Sequence, residues 1–128
     1  MPITYERDDE RRRIIVTTIG IVGIDDLLAV MDRQAGEGTW QYGMLYDSRR
    51  VASVASQTDV RAALKHVEAL SRTHGRRGPV AFVTTMPAAY GMVRMYSTLA
   101  DQLHQAVEVF RDLADAESWL ATHTEPRG

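Results

Sequence analysis

The chain contains no cysteine, which excludes disulfides, zinc–thiolate centres and thiol catalysis together. Lysine is almost missing too: fourteen of the fifteen basic residues are Arg, and the other is Lys65. An Arg excess can supply bidentate anion contacts, but scattered surface Arg means little alone, and compositional bias explains it more simply. Neither sign of charge dominates. A formal net charge of -2 gives no global field to steer nucleic acid, anionic membrane or acidic substrate. No stretch approaches the ~20 apolar residues of a membrane span, and Met1-Pro2-Ile3-Thr4-Tyr5-Glu6-Arg7 lacks the apolar core of a secretory leader. The expected location is cytoplasmic, with no transmembrane segment.

What remains is an average globular composition, 45% hydrophobic and 25% charged over 128 residues, enough for one core and too short for two. Residues 1–123 are expected to form one domain and residues 124–128 a frayed tail.

Along the chain, Ile3 to Arg7 alternates apolar and polar residues, Asp8-Asp9-Glu10 reads as a turn, and Arg12 to Ile19 is rich in β-branched residues. This pattern predicts a hairpin. After Gly20 and Gly23, the residues Ile24, Leu27, Leu28 and Met31 recur at helical spacing, with Asp25 and Asp26 in the dipole-favoured first turn and an end near Gly36. Gly43 to Asp47 reads as a third strand with Asp47 at its end, as a turn or cap residue. A second helix starts from Ser56 or Thr58 as cap, carries Val60, Leu64, Val67 and Leu70 on one stripe, and closes at Gly75.

Pro79 to Thr84 is a continuous apolar run, expected of a central strand covered on both faces. Pro87 opens a third helix running to about His104. Val107 to Phe110 is a fifth strand, and Asp112 with Asp115 caps a fourth helix bearing Leu113, Ala116, Trp119 and Leu120. The fold class is therefore α/β in the order ββαβαβαβα, with one mixed sheet covered by helices.

The chemical motifs are mostly negative. Asp47 occupies the place of a phosphorylatable Asp after a third strand, yet Val107 to Asp112 holds no Lys to neutralise a phosphoryl group. His66, His74, His104 and His123 show no metal-ligand spacing and read as surface or cap residues. No G-x-S-x-G elbow strains a serine into nucleophilic position. Gly20-Ile21-Val22-Gly23 and Gly75-Arg76-Arg77-Gly78 match no phosphate-binding loop and read as bends. The Arg clusters at 11–13, 49–50 and 76–77 fall in or beside turns, where solvated charge is ordinary, so no nucleic-acid partner is expected.

One feature stands out. On a helical wheel, Ala89, Met92, Val93, Met95, Tyr96, Leu99, Ala100 and Leu103 cover an arc wider than one core face needs, with Tyr90 outside it. The third helix thus offers Tyr90, Met92, Arg94, Met95 and Tyr96 as a candidate interaction or ligand surface, unless it is simply buried more deeply.

With this element order, with Ala89-Tyr90-Gly91-Met92-Val93-Arg94-Met95-Tyr96 after the fourth strand, and with Val109-Phe110-Arg111-Asp112 followed by Ala116 and Trp119-Leu120, the chain resembles the STAS domain family. It is most similar to the bacterial proteins of that family described as SpoIIAA-like. The resemblance spans nearly the whole chain and implies a mixed, mostly parallel sheet. Anti-anti-sigma STAS proteins are switched by phosphorylation of a Ser in an Asp-Ser-Ser-Gly stretch after the third strand. The matching segment here is Ala55-Ser56-Gln57-Thr58, with Gln57 at the position of the phosphorylated Ser. Arg49, Arg50, Ser56 and Thr58 form a candidate regulatory loop, although capping accounts for both hydroxyls.

The resulting expectation is a non-enzymatic regulatory or protein-interaction module, paired as a homodimer, with no catalytic residue, metal or cofactor. The alternative is a binding module for a small apolar or lipid-like molecule between the third helix and its neighbours, with Arg94 or Arg49 on an anionic head group. Catalysis by Asp47, His66 or a Tyr has the least support.

Overall fold

The computed structural model describes residues 3–123; the expected tail at 124–128 lies outside the described residues. The elements are β1 (Ile3–Asp8), β2 (Arg13–Gly20), α1 (Ile24–Gly36), β3 (Gly43–Val51), α2 (Gln57–His74), β4 (Val80–Val83), α3 (Pro87–Ala100), a 3-10 turn (Asp101–Leu103), β5 (Val107–Phe110) and α4 (Leu113–His123). The order matches the sequence expectation. The sheet runs β1-β2-β3-β4-β5, with β1 antiparallel to β2 and every later pair parallel.

This strand order dictates where the helices lie. Each crossover from β2 to β5 advances one strand in the same direction, and right-handed crossovers then place α1, α2 and α3 on one face. Helix α4 follows the last strand and makes no crossover, so it is free to cover the other face. The pleat divides the core accordingly. Ile14, Val16, Met44, Tyr46 and Val80 pack under the three-helix layer. Leu45, Ala81 and Val83 pack against Ala116 and Leu120 of α4.

Several boundaries depart from the sequence reading. Strand β3 continues past Asp47 to Val51, because its polar extension pairs through backbone with Ile19 and Gly20 of β2. Asp47 is therefore a strand residue, not a turn or cap. The middle strand is β3, and β4 lies between it and the edge strand β5. Helix α3 stops at Ala100 and tightens into the 3-10 turn, which ends on left-handed His104 (φ 55°).

Two glycines answer to geometry rather than composition. Gly75 ends α2 at φ 86°, a conformation L side chains rarely adopt. At Gly78 a Cβ would overlap the backbone carbonyls of Gln41 and Tyr42, so only a hydrogen fits where the chain enters β4.

Candidate functional site

The parallel strands β2, β3 and β4 open at their carboxyl ends onto a cavity of about 130 Å³ under the three-helix layer. Ligands of open α/β sheets occupy this end of the strands. The register from Thr17↔Asp47 to Ile19↔Arg50 sets an extra β3 residue against β2, a bulge beside the cavity. Here Thr18 Oγ1 lies 3.0 Å from Ser48 Oγ, and both residues line the cavity. The exposed lining residues Val54 and Ala55 mark its mouth, next to Val22 and Ser53, where Val22 N donates to Ser53 Oγ at 3.1 Å.

The helices supply apolar walls. Ala89, Met92, Val93 and Tyr96 of α3 line the cavity at i, i+3, i+4 and i+7, opposite Val60 and Ala63 of α2 and Leu27 and Met31 of α1. Tyr46 and Phe82 stack at 4.7 Å with an interplanar angle of 9°, and Phe82 meets Tyr96 edge-on at 6.1 Å.

Into this apolar wall projects a charge. Arg77 is 3% exposed and lines the cavity. Its Nε donates to Gln34 Oε1 at 3.0 Å, and its Nη2 reaches Met44 Sδ at 3.2 Å and Tyr46 Oη at 3.4 Å. The guanidinium also sits over the Trp40 ring at 5.0 Å. These partners are neutral: among the described residues no carboxylate pairs with Arg77. A guanidinium stays protonated in proteins, and leaving a buried charge uncompensated costs several kcal/mol. Beside it, the buried Tyr96 hydroxyl lies close to the guanidinium but makes no hydrogen bond of good geometry. Burial pushes this phenol up to about 12, partly offset by the positive field of Arg77.

The expected site residues are divided by the structure. Met92 and Tyr96 line the cavity, and Tyr96 is buried, because its place on the wheel points at the sheet rather than outward. Met95 is half-buried against the core. Tyr90 is half-buried under the Arg111 guanidinium at 4.8 Å, and Arg94 is exposed. Arg49 and Arg50 belong to β3 and not to a loop. Arg49 binds Asp47 at 2.8 Å, which holds the Asp47 carboxyl below its usual range despite partial burial. Ser56 is the N-cap of α2: its Oγ accepts from Asp59 N and its N donates to Asp59 Oδ2, each at 3.1 Å. Gln57 and Thr58 lie exposed in the first helical turn. His66 Nε2 lies 2.6 Å from Asp32 Oδ1, joining α2 to α1.

Sequence reasoning missed Arg77, taken there as a solvated turn residue, and also Thr18, Ser48 and Tyr46. The one signal for Arg77 was its position, immediately before Gly78-Pro79 and a fully apolar strand.

No protein-family model matches the chain, and no curated protein does. Solved structures do match. An uncharacterised protein of Shewanella loihica PV-4 with a SpoIIAA-like fold superposes with a TM-score of 0.58 at 18% identity, over 92% of this chain and 91% of its own. An anti-sigma factor antagonist of Mycobacterium paratuberculosis gives 0.57 at 17% identity, over 92% and 93%. The fold is SpoIIAA-like, as the sequence resemblance implied.

Proposed function

We propose that this chain is a non-enzymatic binding module that holds a small, largely apolar molecule in the cavity between the three-helix layer and the sheet. The observation that carries this reading is the cavity itself: about 130 Å³, walled by one face of α3 and bordered by the 53–55 segment. Its size is comparable to an engineered cavity of about 150 Å³ that holds benzene. The few polar groups around it serve orientation rather than turnover, since the Asp59 carboxylate is engaged in the α2 cap and, among the described residues, no histidine lines the wall.

Benzyl alcohol tests this reading. Titrated into isotopically labelled protein, it should perturb the amide resonances of Ala89, Met92 and Ala63 together. Ala63→Leu places three more carbons in the cavity and should abolish those shifts while the protein stays folded. Binding that persists unchanged in this variant would move the site elsewhere.

A second reading, a regulatory module that docks a protein partner, is favoured by the apolar residues beside the mouth. Ile21 is 80% exposed, with Ile19 at 41% and Val54 at 39%. Segments 20–22 and 52–53 are joined by Ala52 N donating to Gly20 O. The likeness to an anti-sigma factor antagonist agrees with such a role. Homodimerisation through Tyr90 and Met95 of α3, in a cytoplasmic setting, belongs to this reading. Among the described residues no helix is long and apolar enough to cross a membrane. Native mass spectrometry separates the cases: Met95→Asp should dissociate an α3 dimer, and Ile21→Asp should leave it intact.

A further inference from the structure

We propose that the cavity is selective for a small organic monocarboxylate, its carboxylate held by Arg77 and the Tyr96 hydroxyl and its apolar body directed toward the mouth. This rests on the cavity being a ligand site and names the class of ligand.

Two observations carry it. Arg77 is a buried, permanently charged group whose hydrogen-bond partners are all neutral. The buried Tyr96 hydroxyl, on the same wall and beside that guanidinium, has no acceptor for its proton. A phenol hydroxyl and a guanidinium are both donors, and their joint complement is an acceptor that carries negative charge. One cation with one neutral donor matches a single negative charge; a phosphate monoester would bring about two into an apolar wall that no second cation lines among the described residues.

Charge also sets the orientation. Asp59, in the first turn of α2, is the one carboxylate among the described residues that lines the cavity. Helix α2 begins at the carboxyl end of β3, whereas Arg77 precedes the amino end of β4, so the two groups mark opposite ends of the site. An anion is repelled at the Asp59 end and attracted at the Arg77 end. The volume limits the body to about the size of a phenyl ring or a short alkyl chain. Benzoate and hexanoate fit this description.

Calorimetric titration of the full chain with benzoate and hexanoate, beside the neutral benzyl alcohol and hexanol, tests the assignment. Each acid should bind at least tenfold more tightly than its alcohol, and the acids alone should shift the Arg77 side-chain Nε–H resonance. Arg77→Met should erase the preference for acid while alcohol binding survives. Tyr96→Phe, which keeps the ring in place, should weaken acid binding several-fold and alcohol binding by a smaller factor. Equal affinity for acid and alcohol in the unaltered protein would overturn the carboxylate assignment and leave the apolar site standing. Binding of neither probe would overturn both. The comparison in the unaltered protein decides the matter even if Arg77→Met does not fold.

Discussion

The buried Gln34 amide stands between the backbone and Arg77: its Oε1 accepts from Arg77 Nε at 3.0 Å, while its Nε2 donates to Thr39 O at 3.2 Å and lies within reach of the Trp40 and Tyr42 carbonyls. One side chain thereby anchors the α1–β3 connection and orients the cavity's cation.

Gln34→Leu is expected to cost about 2–4 kcal/mol, because it strips several buried backbone carbonyls of a donor and Arg77 of its best acceptor. Arg77→Met should cost much less, or stabilise, since an apolar chain of similar length replaces an uncompensated charge. The double variant should fall short of the sum by about 1 kcal/mol or more, as expected of groups in contact. Urea unfolding of the four proteins measures this. A cation that stabilised the fold would give the opposite ranking, whereas one retained for binding gives this one.

Alkaline pH should weaken the fold through two tyrosines. Tyr5 and Tyr96 are both pushed up to about 12, chiefly by burial, with the Glu37 carboxylate adding to the effect at Tyr5. In the unfolded chain tyrosine titrates near about 10. Between these values the unfolded state has lost protons that the folded state retains, so stability falls as pH rises. The contribution is complete below about pH 10 and is lost progressively toward about 12. Urea midpoints should therefore drop more steeply above about pH 10, and Tyr96→Phe should remove part of that slope.

Ser56→Ala should destabilise the protein by about 1 kcal/mol by removing the acceptor for Asp59 N at the start of α2. Ser56→Asp keeps an acceptor there and should lie near the parent. The pair, measured by thermal unfolding, separates capping from any need for the hydroxyl itself.

Two Gly→Ala changes should move in opposite directions. At Gly78 the new methyl meets two backbone carbonyls that cannot rotate away, and a loss of about 2 kcal/mol or more is expected. At Gly91, within α3, the methyl meets open space, and higher helix propensity should add about 0.5–1 kcal/mol. Denaturation midpoints of both variants check the contrast.

The element order, the α/β class and the amphipathic stripe of α2 were legible in the residues alone, because hydrophobic period, caps and turn residues act over a few neighbouring positions. The same patterning also marked α3 as more apolar than one core face requires. The site was decided only by tertiary structure. Local patterning cannot distinguish an Arg pair in a solvated turn from one whose second member is buried. Arg76 and Arg77 are neighbours in sequence, yet the first is exposed and the second lies under three helices. That difference arises from the one-directional strand order, which gathers α1, α2 and α3 on a single face and leaves between them the space into which Arg77, Tyr46 and Tyr96 converge.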